Sequence, residues 1–203
     1  CVVNKSSTLG LLSCVAGFKR GVDHMTSLLV ASRGIDWFNE RVGRICDYLI
    51  AAACFISAGN AFMRYALSYS SNAYLEIQWY LFGAVVMLGA SYTLKQNEHV
   101  RVDVIYGQLS DRGRLMVDLF GFIVFLLPVC LILLYLSWPF FTRSYLSGEI
   151  SMNAGGLILW PIKLVLPLGF FLLLMQCVSE IIKRVAALRG LIVLETKYTK
   201  PLQ

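Results

Sequence analysis

The segment Glu98-His99-Val100-Arg101-Val102-Asp103 gathers the residue types that metal binding or acid–base chemistry would need. His99 and Asp103 stand four apart, so a helix would set both on one face. The chain has only two histidines, however, and no cysteine or third carboxylate is spaced to complete a tetrahedral site. The pattern therefore reads as ion pairs and headgroup contacts made by His99, Arg101 and Asp103. A second constellation joins Asn60 and Arg64, one helical turn apart, to Glu76 and Gln78. An Arg64–Glu76 pair would neutralise two charges near an interface, with Asn60 adding a hydrogen bond. A clasp between two helices is the favoured reading over a substrate site. The six cysteines, Cys1, Cys14, Cys46, Cys54, Cys130 and Cys177, include no CxxC pair and read as small apolar packing residues, which weakens a thiol-oxidoreductase function. With no phosphate-cradling glycine loop, nucleophile elbow or metalloprotease helix, no catalytic residue is assigned and no enzyme, cofactor or metal is expected.

These residues border four apolar stretches, at about 45–66, 77–94, 119–138 and 157–178. Each approaches the ~20 residues that a helix needs to cross a ~30 Å hydrocarbon core. Hydrophobic residues make up 58% of the chain and charged ones 15%, as in a polytopic helical protein. The expected fold is an all-α membrane protein with four transmembrane helices. The charges nearest the spans, Asp47, Arg64, Glu76, Lys95, Asp118 and Lys163, lie at span ends, where side chains can snorkel to water. An ion-coupled carrier normally keeps an ionisable group at membrane depth. A self-sufficient four-helix transporter of the multidrug type would want an acid in its first span, and none lies between Asp47 and Arg64.

The net charge of +6 is unevenly spread. Fifteen of the lysines and arginines fall in the N-terminal segment, the 95–118 loop and the tail, against three at the other side. The positive-inside rule then places both termini and the middle loop in the cytoplasm, and the same distribution argues against a nucleic-acid partner. Ile35, Phe38, Val42 and Ile45 recur at helical spacing, with Asp36, Asn39, Glu40, Arg41 and Arg44 opposite, which predicts a short amphipathic helix on the cytoplasmic surface leading into span 1. A similar stripe, Val102, Ile105, Tyr106 and Leu109, precedes an N-cap at Ser110. Pro128, Pro161 and Pro167 predict kinks within spans. The stretch Pro139–Gly156 reads as an extracytoplasmic loop, and Trp79, Tyr80, Trp138 and Trp160 as an aromatic belt. Ala51, Ala52, Ala53, Gly83 and Gly89 would let a partner helix approach closely. Residues 1–34 read as a poorly ordered or over-extended leader, with the natural start at Met25 within it, 35–188 as the four-helix domain, and 189–203 as a cytoplasmic tail.

On these residues the chain resembles the small permease (Q) subunit of the tripartite ATP-independent periplasmic, or TRAP, transporters. The resemblance is carried by Asn60-Ala61-Phe62-Met63-Arg64-Tyr65, by Glu76 to Gly89, and by Ala90-Ser91-Tyr92-Thr93-Leu94-Lys95 followed by His99-Val100-Arg101-Val102-Asp103. Gly148-Glu149, Ala154-Gly155-Gly156 and Leu159-Trp160-Pro161 are similar to the branch associated with mannitol or chloroaromatic-type compounds, itself similar to carriers of 2-oxo acids and lactate. The resemblance spans about Ile35 to Leu188. It implies a bacterial inner-membrane, multi-pass subunit that braces a large permease (M) subunit. It also implies that a periplasmic binding protein delivers an organic acid and that sodium binds the large subunit. Membrane lipids complete the expected partners.

Overall fold

The computed structural model describes residues 5–69, 71–96, 109–153 and 155–192, with side chains from Met25 onward. Among them lie four long helices: α1 (Lys5–Leu67), α2 (Asn72–Gln96), α3 (Asp111–Ser147) and α4 (Trp160–Leu188). All four are long and apolar enough to cross a membrane. The described residues contain no sheet, only one antiparallel bridge between Ile150 and Ile158.

Each boundary has a local cause. Ser110 caps α3 as its sequence predicts, accepting the Gly113 amide at 3.3 Å, with Asp111 in the first turn complementing the helix dipole. Gly148 ends the helix in the left-handed conformation, φ 60°, its N–H reaching the carbonyls of Ser144 and Tyr145. Pro161 follows Trp160 in the first turn of α4, where its missing N–H leaves no intrahelical bond unmade. Within α3, residues Phe122–Leu126 form a π-helical turn directly before Pro128. Proline cannot donate to the carbonyl four residues back, and a widened turn relieves that crowding.

Two sequence expectations change. Pro139 lies inside α3, which runs to Ser147, so the loop is Gly148–Leu159 rather than Pro139–Gly156. And the 35–45 stripe is not a separate surface helix: it belongs to α1, whose 43 residues from Met25 to Leu67 span roughly 65 Å, about twice the hydrocarbon thickness. Its buried face is partly the polar one. Asn39 is fully buried while Phe38 and Ile45 are about half exposed, because Asn39 and Asp36 find polar partners on α4.

The helices alternate in direction, up-down-up-down. Gly43 lies against Tyr92 and Glu40 pairs with Lys95, so α1 and α2 are antiparallel. Gly83 meets Ile162 and Gly169 meets Met87, so α2 and α4 run parallel. Tyr145 stacks edge-on with Trp160 at 5.6 Å while Asp118 meets Arg184 at 3.3 Å, so α3 and α4 are antiparallel. Helix α4 is the hub: it packs on all three others, and α3 rests chiefly on it. Ala53, Gly83 and Gly89, expected to admit a partner, are spent on contacts within the chain.

Candidate functional site

A connected polar network ties α1, α3 and α4 at one end of the bundle. Its centre is Gln176, fully buried on α4. The Gln176 carbonyl oxygen accepts from the Asn39 amide at 2.6 Å. Its own amide donates to Asp36 Oδ1 at 2.9 Å and to Glu180 Oε1 at 3.1 Å. One turn along, the Ser179 hydroxyl donates to Asp36 Oδ1 at 3.0 Å and shares a 2.7 Å bond with the Ser32 hydroxyl. Lys183 reaches Asp36 Oδ2 at 3.0 Å and also pairs with Glu180. Arg184, buried, pairs with Glu180 and reaches Asp118 Oδ2 on α3 at 3.3 Å, with its guanidinium 4.4 Å above the Phe122 ring.

The positions explain why α4 can do this. Gln176, Ser179, Glu180, Lys183 and Arg184 are spaced three and four apart, so they share one helical face. Ser32, Asp36 and Asn39 form the matching stripe on α1. Asp36, Asp118 and Glu180 face Lys183 and Arg184, so the buried charges largely compensate one another. In apolar surroundings each such bond is worth about 0.6–2 kcal/mol. The set acts as an interhelical lock. Among the described residues no group of three or more His, Cys, Asp and Glu side chains could hold a metal ion.

The residues singled out in the sequence are placed differently. Glu76, Asn60 and Arg64 lie at the opposite end of the bundle. Arg64 is exposed and forms no ion pair with Glu76, whose Oε2 is buried without a hydrogen-bond partner. The expected clasp is therefore not made; Gln78, beside it, instead donates to the Ala53 carbonyl at 3.4 Å and ties α2 to α1. Asn60 Oδ1 is also buried and unpartnered. Trp160 stacks on Tyr145 and so joins the start of α4 to the end of α3. His99, Arg101 and Asp103 lie outside the described residues, as do Val102, Ile105 and Tyr106 of the second stripe. The sequence reading missed the Gln176–Arg184 face; its signal was the three-and-four spacing of polar residues closing an otherwise apolar span.

The loop at the other end is knit firmly. Ser151 N–H donates to Leu157 O at 2.8 Å and Leu159 N–H to Glu149 O at 3.0 Å. Glu149 pairs with Lys163, whose ammonium also lies 4.4 Å from the centre of the Phe140 ring. That hydrogen bond, and the charge behind it, hold the Glu149 carboxyl below the ordinary glutamate value of 4.5.

Four apolar helices locked by a polar network at one end, with the outward faces left apolar, define a polytopic membrane subunit. The DctQ component of the tripartite ATP-independent periplasmic transporters matches residues 53–187, and the chain belongs to that family of small permease subunits. The match contains the whole α4 half of the network, while Ser32, Asp36 and Asn39 precede it. Among curated proteins, none matches the chain.

Proposed function

We propose that the chain is the scaffold subunit of a sodium-gradient-driven organic-acid importer of the bacterial inner membrane. In this reading a large permease subunit carries substrate and sodium, a periplasmic binding protein delivers the acid, and this chain braces the permease. The observation that carries the proposal is the use of the polar side chains. Asp36, Asn39, Gln176, Glu180, Lys183 and Arg184 are committed to one another across helices, which suits a rigid brace rather than a site that must bind and release a solute. The mannitol- or chloroaromatic-type branch, with its 2-oxo acid relatives, is the favoured substrate class, on the Gly148–Pro161 residues.

Both termini and the 95–110 connection face the cytoplasm in this proposal. The basic excess supports that orientation, and so does the gathering of Lys95, Lys183 and Arg184 at one end with Glu40, Asp36 and Asp118. The test is reconstitution into proteoliposomes with an imposed inward sodium gradient. This chain alone, the large permease alone, and both together with the binding protein are compared for uptake of labelled 2-oxo acids. Uptake is expected only in the full combination; sodium-driven uptake by this chain alone would end the scaffold reading.

A further inference from the structure

Asn72, Leu75, Glu76, Trp79 and Tyr80 stand on one face of the first turns of α2, and Asn153 faces them from the 148–159 loop. Between them lies an open cleft of about 550 Å³. Its loop wall is fixed in place. Gly155, at φ 140°, lies so close to α2 that a Cβ there would come within 2.9 Å of the Ala73 amide nitrogen.

The floor of the cleft is chemically incomplete. Glu76 is only 9% exposed, yet its Oε2 is shut off from solvent with no hydrogen-bond partner in the chain. The Tyr80 hydroxyl, one turn further on, is also buried and unpartnered. A buried acceptor left without a donor costs about 1–3 kcal/mol, and more if charged, so turning the Glu76 carboxylate toward a donor in the cleft that this residue lines is favoured. Trp79, by contrast, is 77% exposed and offers its indole at the cleft mouth.

Acceptor, hydroxyl and aromatic face together select the occupant. A carboxyl oxygen and a phenol oxygen can both accept from N–H, and aromatic rings attract a cation over their faces. An anion would meet Glu76 unfavourably. A quaternary ammonium would enjoy the rings but has no N–H, and would leave Oε2 bare. A primary ammonium has three donors and a methylene stem that Leu75 can cover. The cleft also lies where α2 begins, at the end of a span, the depth at which Trp and Tyr meet lipid headgroups. We propose that this cleft binds a protonated primary amine, presented by the headgroup of an aminophospholipid in the adjoining leaflet.

The chain without any partner is sufficient for the test, so its outcome is independent of the scaffold reading. Protein labelled with 5-fluorotryptophan is placed in nanodiscs whose phosphatidylcholine is replaced stepwise by phosphatidylethanolamine at constant phosphatidylglycerol. The ¹⁹F resonance of Trp79 is assigned by its loss in Trp79→Phe. It should move saturably with the ethanolamine-lipid fraction while that of Trp160, stacked on Tyr145, stays put. Glu76→Gln should weaken the apparent affinity about tenfold or more, and Tyr80→Phe about two- to fivefold. An unchanged Trp160 signal in each variant shows that the loop and α4 remain folded. A Trp79 resonance indifferent to lipid, or equally responsive in Glu76→Gln, would overturn the site. Soluble ethanolamine producing the same shift in discs free of the aminolipid would overturn the lipid as its source.

Discussion

Arg184 meets two acids at once, Glu180 on its own helix and Asp118 on α3, while almost wholly removed from solvent. Arg184→Ala removes the charge that both carboxylates face and should cost about 3–5 kcal/mol, read as reversible unfolding in mild detergent mixtures. Lys183→Ala and Asp36→Ala should each destabilise, and the double change should fall short of their sum by about 0.5–3 kcal/mol. Strict additivity would mean that the 3.0 Å pair carries no coupling. Arg64→Ala, at an exposed side chain with no ion pair to Glu76, should stay within about 0.5 kcal/mol of the parent. Glu149 adds a pH signature. Its carboxyl is depressed by the Lys163 hydrogen bond and charge, so its contribution is present above the unfolded value of 4.5 and is lost as pH falls through the lower folded value. Protection of the Ser151 and Leu159 amides, corrected for intrinsic exchange, should therefore drop on acidification below that range, and Glu149→Gln should flatten the dependence. At this scale the sequence is least legible. Closeness along the chain pairs Arg64 with Glu76, whereas Lys183 and Asp36, the real partners, are 147 residues apart.

Helix α4 touches the other three because its small residues let them in. A Cβ at Gly169 would sit 2.7 Å from the Met87 carbonyl oxygen, a backbone atom that α2 cannot move without shifting as a whole. Gly169→Ala should therefore push α2 and α4 apart and destabilise by about 1–3 kcal/mol. Gly59 is the control, because a methyl group there would meet nothing within 4 Å: Gly59→Ala should be neutral or gain up to about 1 kcal/mol in helix propensity. A Gly169→Ala protein as stable as the parent would show that the α2–α4 contact is loose. The elements themselves are readable, since four apolar runs of spanning length leave little choice, and Ser110 announces the start of α3. Their limits are less so. Pro139 reads as the end of a span, but α3 continues past it for two turns to Gly148, where positive φ stops it. The α1 stripe is periodic as expected, yet Asp36 and Asn39 of its polar side face protein, while Glu40, Arg41 and Arg44 stay exposed. Hydrophobic periodicity cannot reveal that a facing helix carries Gln176 and Lys183.

At the scale of the whole molecule, two unlike ends fix how it can sit in a bilayer. One end gathers Glu40, Lys95, Asp36, Lys183, Asp118 and Arg184 from four helices. The other holds the knit 148–159 loop, the Tyr145–Trp160 stack and the cleft over Glu76. Charge counting along the sequence groups the chain segments of the first end without knowing any contact between them, and the alternation of helix directions agrees with that grouping. If the basic end faces the cytoplasm, a single cysteine at Gln96 on a cysteine-free background should react with a membrane-impermeant maleimide only after the membrane is opened. One at Ser147 should react from outside in intact cells. Both positions are exposed in the fold, so failure to label cannot come from burial within the chain. Labelling at Gln96 from outside, with Ser147 protected, would invert the orientation, and with it the leaflet assigned to the amine cleft. Equal labelling at both positions in intact cells would put them on the same side of the membrane. That outcome would contradict the four-span reading itself, because α3 joins the two ends by one passage.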